Sequence, residues 1–170
     1  MWLYLCGMNY FELYGIQEAP VVDRRGLAKK YFDLQKKYHP DFYTQATEAE
    51  REEALRLSAL VNQAFRVFSN DDATLAYFLE CRGHLSHDEK FTLPPDFLME
   101  MMELNEELAE KGREEVEGKI ESLEASFKTE VEGYLRPEAL PSLDERALND
   151  LKMYYFKKKY ISRILDRLPD

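Results

Sequence analysis

The feature that most constrains the fold is the helical spacing of apolar residues along most of the chain. Leu27, Tyr31, Leu34 and Tyr38 follow the i, i+4, i+7, i+11 pattern of one helix face. We find no convincing stretch with the period-two alternation that is typical of strands. A chain of 170 residues with this pattern predicts an all-α fold that is large enough to bury a core.

Proline and glycine divide the chain into two halves. The segment "GHLSHDEKFTLPP" begins with Gly83, ends with two prolines and has little periodicity, which is typical of a linker. We therefore predict a first domain over residues 8–82, a linker over 83–95 and a second domain over 96–170. Thr47 and Glu50 resemble a capping box that starts one helix of the first domain.

The second half is rich in acidic residues and predicts a three-helix bundle. Between positions 96 and 132 there are thirteen acidic residues and four basic ones. Helices are predicted over 96–111 and 113–135, and Asp144 is predicted to cap a last helix that runs to about Leu168. The lysines of "KKKY" (157–160) are interpreted as a solvated face that balances the acidic second helix.

Charge and cysteine content exclude several classes of function. The net charge of −10 argues against a chain that coats nucleic acid or anionic lipid, and we predict neither a nucleic-acid nor a membrane partner. Cys6 and Cys81 make no disulfide framework, which favours a reduced, cytoplasmic compartment. The opening "MWLYLCG" is too short for a signal peptide, and we interpret it as an extension before Met8.

The stretch "KKYHPDFY" (36–43) ends a basic helix on a proline. Pro40 stops the helix because the residue before a proline is pushed out of the helical region. Such a tripeptide is often simple helix punctuation. However, positions 24–37 hold six basic residues and one acidic residue, a local patch that would steer an acidic protein partner.

The first half resembles a J-domain. The resemblance lies in "YFELYGI", "LAKKYFDLQKKYHPDFY" and "ALRLSALVNQAFRVFSNDDATLAYFL", which follow one another in the order of that family over residues 9–82. It implies a helical hairpin whose loop binds a DnaK-class (heat-shock-70) chaperone and stimulates its ATPase. The contacts that it implies are His39, Pro40 and Asp41 in the loop, and Lys29, Lys30, Lys36 and Lys37 on the basic helix. Most J-domains carry a lysine after this tripeptide, where this chain has Phe42.

The helix "DFLMEMMELNEELAE" (96–110) carries more apolar residues than one face needs. Phe97, Met101, Leu104 and Leu108 follow the core spacing. Leu98 and Met102 lie roughly 90–120° from that face. They either widen the buried face or form an exposed apolar patch with carboxylates around it, a common form for a partner surface.

A J-domain, a linker and an acidic three-helix bundle in one chain of this length resemble the HscB family. That family implies an L-shaped two-domain co-chaperone that binds an IscU-type iron–sulfur cluster scaffold and delivers it to an HscA-type chaperone. The scaffold contacts that it implies are Leu98, Met99, Met102, Glu103 and Glu106, with Tyr155 on the last helix, which could instead be core. A J-protein whose bundle serves a different client is the alternative.

Catalysis and metal binding are weaker interpretations. Cys81, His84 and His87 are spaced three apart, but they span Gly83 and have no second paired set of ligands, so no metal site is predicted. The chain has no glycine-rich phosphate loop and no recognisable nucleophile motif. We therefore predict no cofactor and no enzymatic activity.

Overall fold

The computed structural model describes residues 9–166, apart from the side chains at positions 113, 137 and 142, and the first seven residues lie outside this range. Within it the chain forms α-helices joined by short turns and 3-10 turns, and no strand, so the all-α prediction is confirmed. The helices are α1 (Tyr10–Tyr14), α2 (Leu27–Tyr38), α3 (Glu48–Phe68), α4 (Asp71–Cys81), α5 (Pro95–Lys111), α6 (Arg113–Leu135) and α7 (Glu145–Leu165).

Side-chain caps set several helix ends. Thr47 accepts from the backbone N–H of Glu50, and the Glu50 side chain accepts in return, so the predicted capping box is present at the start of α3. The predicted cap Asp144 accepts from the N–H of Ala147 at the start of α7. Gly15 ends α1 in the left-handed region, with φ of 56°, which a residue with a Cβ rarely adopts.

Two helix ends need a separate description. A 3-10 turn (Arg24–Gly26) leads into α2, and the Asp23 carboxylate caps that turn by accepting from the N–H of Arg25. The helix α7 ends at Leu165 and Asp166 is its C-cap, while positions 167 and 168 of the predicted helix lie outside the described residues. The segment "RPEALPS" between α6 and α7 contains a 3-10 turn, Pro137–Ser142.

The chain divides into two compact units between Arg82 and Gly83. In the first unit α2 and α3 form an antiparallel hairpin, and α1 and α4 complete the core around Phe11, Phe68 and Phe78, each at most 1% exposed. The rings of Phe11 and Phe68 lie 5.0 Å apart. This aromatic cluster joins α1 to the end of α3 and contributes large apolar side chains to the core.

The second unit is a bundle of α5, α6 and α7. The α5 residues Phe97, Met101, Leu104 and Leu108 are at most 5% exposed, so the predicted core face is confirmed. Phe97 packs edge-on against Phe127 of α6, with ring centres 5.7 Å apart. Truncating a buried side chain of this kind costs about 2–5 kcal/mol of stability.

Ion pairs join the acidic helix α6 to its neighbours. The Lys157 ammonium lies 3.1 Å from Glu130 and 4.5 Å from the centre of the Phe127 ring, and its side chain is only 13% exposed. Lys119 pairs with Glu107 of α5 at 2.8 Å. Lys157 therefore does balance an acidic residue of α6, but it lies against the bundle instead of extending into solvent.

The segment between the helices of the two units packs onto the second one. Leu85 and Leu93 are each 9% exposed, and Phe91 stacks on Phe156 of α7 with ring centres 4.5 Å apart and an angle of 3° between the rings. Glu89 forms an ion pair with Lys152 of α7. These contacts attach residues 85–93 to the bundle, while the proposed extents of linker and domains stay predictions.

Candidate functional site

The turn after α2 is fixed by its own backbone and by one tyrosine. His39 is extended, with φ of −65° and ψ of 128°, as expected before a proline, and Pro40 opens a 3-10 turn (Pro40–Tyr43). The N–H of Phe42 donates to the His39 carbonyl at 3.0 Å. The Tyr43 hydroxyl reaches back to the carbonyl of Lys37 at 3.0 Å and ties the turn to the helix. We call residues 39–42 the HPD turn.

The polar side chains of the HPD turn point outward. The side chain of His39 is 48% exposed and that of Asp41 is 85% exposed. The Asp41 N–H donates to Nδ1 of His39 at 3.3 Å, so Nδ1 is engaged within the turn and Nε2 is the ring nitrogen that a partner can reach. The turn therefore presents an imidazole and a carboxylate in a restricted conformation.

The four predicted lysine contacts are not equivalent. The ammonium of Lys30 donates to the carbonyl of Tyr14, the last residue of α1, at 3.0 Å and to that of the C-cap Gly15 at 2.9 Å. This geometry gives Lys30 a structural role at a helix C-terminus, where a cation is favourable. Lys29, Lys36 and Lys37 are exposed. We call these three the outer lysines.

Other basic residues near α2 also have local partners. Arg24 pairs with Asp71 at the start of α4, and Arg25 pairs with Asp23 at 2.9 Å. The side-chain hydrogen bond to Tyr38 raises the pKa of Lys37, which therefore stays charged at neutral pH. The outward charge of this face consequently comes mainly from the outer lysines, fewer cations than the sequence count suggests.

The second apolar stripe of α5 is exposed. Met99 is 57% exposed and Met102 is 64% exposed, while Leu98 is half-buried. The interpretation in which Met102 widens the buried face is therefore wrong, because neighbouring Met101 takes the buried position at 1%. Glu103 and Glu106 are exposed on the next turn. We call Leu98, Met99, Met102, Glu103 and Glu106 the methionine patch.

Tyr155 occupies an intermediate position on α7. It is half-buried, and its ring lies edge-on to Phe156 with centres 5.2 Å apart. The Lys159 ammonium lies 3.4 Å from its hydroxyl. Phe156 is in turn held by Phe91 of the segment before α5, a contact that no sequence pattern indicated. Tyr155 therefore has a positioned ring of which part remains accessible.

Both units resemble known proteins. The family model of the HSCB C-terminal oligomerisation domain matches residues 93–168. Two proteins named Co-chaperone protein HscB homolog, from two strains of Vibrio vulnificus, are each 38% identical over 104 residues, which is 61% of this chain and 61% of theirs. The crystal structure of human co-chaperone protein HscB matches with a TM-score of 0.77 and 26% identity over 95% of this chain and 81% of that one. Together these matches support the HscB family.

A bacterial HscB structure also matches nearly the whole chain. The chaperone HscB from Vibrio cholerae matches with a TM-score of 0.62 and 28% identity, over 95% of this chain and all of that one. By contrast, the sequence matches span about three fifths of the length of the curated HscB homologues. The likeness to HscB structures, which have a J-domain and a C-terminal helical domain, therefore includes both units.

The alternative sites have no comparable geometry. Among residues 9–166, no group of three or more His, Cys, Asp or Glu side chains is placed to hold a metal ion. Burial raises the pKa of Cys81 to about 11, which disfavours the thiolate that binds zinc. His84 lies 3.4 Å from Glu145 of α7. None of the described helices is both long and apolar enough to cross a membrane.

Sequence reasoning missed one exposed aromatic residue of the first unit. Phe32 is 68% exposed on α2, as exposed as Phe42 in the HPD turn. The signal was present, because Phe32 lies outside the stripe formed by Leu27, Tyr31, Leu34 and Tyr38.

Proposed function

We propose that the chain is a co-chaperone that binds an IscU-type iron–sulfur cluster scaffold and delivers it to an HscA/DnaK-class chaperone, whose ATPase it stimulates. The observation that carries this proposal is the HPD turn, fixed internally by Pro40 and Tyr43 and yet exposing His39 and Asp41. In this function the cluster is cargo, and the chain itself carries out no catalysis. It would act in the cytoplasm, to promote cluster transfer and protein maturation.

The first unit supports the chaperone half of the proposal. A loop that is already ordered loses little conformational entropy when it binds, so more of the contact energy appears as affinity. The outer lysines add a positive field beside the turn, which speeds encounter with an acidic surface. In this proposal the partner ATPase is stimulated by contacts with His39, Pro40 and Asp41. The outer lysines contribute to binding of the partner.

The second unit supports the scaffold half. The methionine patch combines flexible thioethers with carboxylates, which allows it to fit an apolar surface bordered by basic or amide groups. The helix α5 holds the patch on a backbone that Met101 and Leu104 anchor in the core. Tyr155 would add an aromatic contact from α7.

Joining both surfaces in one chain explains how a client would reach the chaperone. When the scaffold is bound to one unit and the chaperone to the other, their meeting becomes an intramolecular event at a raised effective concentration. The expected assembly is therefore a complex of the chain, the scaffold and the chaperone. The chain would not need an ATP site of its own.

The decisive test is the ATPase rate of the chaperone with this chain, with the scaffold, and with both together. We expect each addition alone to raise the rate modestly, and the two together to raise it by more than the product of the separate effects. Purified chain without chaperone should hydrolyse no ATP. A rate with both that equals the rate with the chain alone would remove the scaffold from the proposal.

The alternative is an adaptor for a different client, and direct binding separates the two. The full chain is titrated with the scaffold and followed by calorimetry, with Met102→Glu as the matched variant. Saturable binding that the variant weakens supports the proposal. If the wild-type chain stimulates the chaperone and yet does not bind the scaffold, the different-client adaptor is favoured.

Because the matched family model is named for oligomerisation, sedimentation of the chain alone reports whether the bundle also self-associates.

A further inference from the structure

Two phenylalanines of the first unit are exposed although they are large and apolar. Phe32 and Phe42 are each 68% exposed, whereas Phe11, Phe68 and Phe78 of the same unit are at most 1% exposed. The core of this unit is therefore complete without them. Aromatic side chains of this kind are enriched at the centres of protein interfaces, where they bury a large area.

The two exposed rings lie along one continuous surface. Phe32, Lys36 and His39 are spaced i, i+4, i+7, so they follow one another along one face of α2 to its end. Phe42 continues this line, because its ring lies edge-on to the His39 imidazole with centres 6.0 Å apart. We call Phe32, Lys36, His39 and Phe42 the aromatic flank.

We propose that Phe32 and Phe42 are apolar docking contacts for the DnaK-class chaperone, on either side of the His39 signal. The inference rests on the proposed function and specifies the chemistry of the partner surface: an acidic area that meets the outer lysines, with apolar side chains beside it. Continuity with the HPD turn and complementarity to the positive charge of α2 select this partner. Phe42 thus gains a role at the position where a lysine is usual in J-domains.

Charge argues against two other occupants of the same surface. A second copy that bound through the same face by two-fold symmetry would place the outer lysines of both copies against each other. An anionic membrane would attract those lysines but repel a chain whose net charge is −10. Both occupants are therefore outcomes that the experiment must be able to reveal.

An apolar contact differs from a charged one in its response to salt. Attraction between the outer lysines and an acidic surface weakens as ionic strength rises, because mobile ions screen exposed charges. Burial of a phenyl ring is not weakened in this way. The phenylalanines would therefore sustain docking at salt concentrations at which the lysines contribute little.

The test measures chaperone ATPase against the concentration of full-length chain, for the wild type and for Phe32→Ser and Phe42→Ser. We expect each substitution to raise the half-maximal concentration about tenfold, the effect of losing one aromatic contact, with an unchanged maximal rate. The fold increase should persist when the measurement is repeated at higher salt. Val21→Ser is the matched control, because Val21 is 39% exposed in the same unit but lies before the start of α2.

The outcomes separate this inference from the function on which it rests. If the wild type does not stimulate the chaperone, the proposed function fails. If it does, and both serine variants keep the wild-type half-maximal concentration, the docking role of the phenylalanines is wrong. An increase in half-maximal concentration that is no larger than that of Val21→Ser would also contradict the docking role. Self-association is measured by sedimentation, and lipid binding by co-flotation with phosphatidylserine vesicles, on the same variants. If the serine variants lose self-association and show no ATPase shift, the rings contact a second copy. If they lose lipid binding and show no ATPase shift, the rings contact lipid.

Discussion

The HPD turn and the methionine patch present their side chains in opposite ways. In the turn the backbone leaves the α-helix for a 3-10 turn, and Pro40, the Tyr43 hydroxyl and the Phe42 N–H all act to hold it. In the patch the backbone is an ordinary helix, and the variety lies in long, flexible side chains at Leu98, Met99 and Met102. This difference indicates two modes of recognition. A fixed conformation suits recognition of one specific geometry, whereas flexible apolar side chains can adapt to the surface of a bound partner.

The substitution His39→Gln should have the largest effect, and it tests whether the HPD turn and the methionine patch have separate roles. Glutamine keeps a polar side chain but not the imidazole ring, so we expect maximal stimulation of the chaperone ATPase to be lost while the fold is kept. The measurement is the ATPase rate at saturating chain, alongside circular dichroism. Scaffold binding by the same variant serves as the control and should equal that of the wild type. Retained stimulation would contradict the role of the HPD turn.

The patch is tested by Leu98→Ala combined with Met102→Ala. We expect scaffold affinity to fall by about tenfold to a hundredfold, because both side chains lose their apolar contact area. The free energy of unfolding should change by less than about 1 kcal/mol, since Met102 is 64% exposed and Leu98 is partly so. Calorimetry measures the first quantity and urea unfolding the second.

The matched control for the patch is the adjacent buried residue. Met101→Ala should cost about 2–5 kcal/mol of stability, because the side chain is 1% exposed in the bundle core. A double variant as unstable as Met101→Ala would show that Leu98 and Met102 serve the core.

A subtler change tests whether the turn works through its rigidity. Tyr43→Phe removes only the hydroxyl that donates to the Lys37 carbonyl at 3.0 Å. Losing one such hydrogen bond costs about 1 kcal/mol, so we expect about a fivefold rise in the chain concentration that gives half-maximal ATPase. The control is Tyr134→Phe, which removes a hydroxyl contact of 3.5 Å to Asp150 in the bundle. Equal effects of the two substitutions would mean that turn rigidity is not the cause.

The smallest expected effects distinguish two neighbouring lysines. Lys30→Met should lower the free energy of unfolding by about 1 kcal/mol, because it removes the donor to the carbonyls of Tyr14 and Gly15. Lys29→Met should leave stability unchanged and weaken chaperone docking by about threefold at low salt only. Thermal unfolding and salt-dependent ATPase measure the two effects. The reverse pattern would place Lys30, not Lys29, at the docking surface.

Features that depend on local sequence were predictable. The core register of α5 follows from the spacing of Phe97, Met101, Leu104 and Leu108, because a helix fixes which positions share a face. The end of α2 follows from Pro40, and the start of α3 from the Thr47 capping box. In each case the physical cause lies within about a dozen residues.

Features that depend on distant partners were not predictable. The ion pair of Arg24 with Asp71 joins residues 47 positions apart, and it removes a charge that the sequence assigned to the basic face. Lys30 donates to carbonyls that become available only because α1 ends at Gly15. The stacking of Phe91 on Phe156 likewise depends on where the segment before α5 meets α7. Sequence patterns show the type of each side chain but not the tertiary contacts between distant residues.

The division between Arg82 and Gly83 also has a consequence for biosynthesis. The N–H of Tyr10 donates to the hydroxyl of Tyr77 at 2.9 Å, and their rings stack, so α1 is secured only once α4 has left the ribosome. From that point the first unit has all its core residues, while α5 to α7 are still to be translated. Because domains generally fold as units and the N-terminal one folds first, a growing chain would complete the proposed ATPase signal before it presents the proposed client surface.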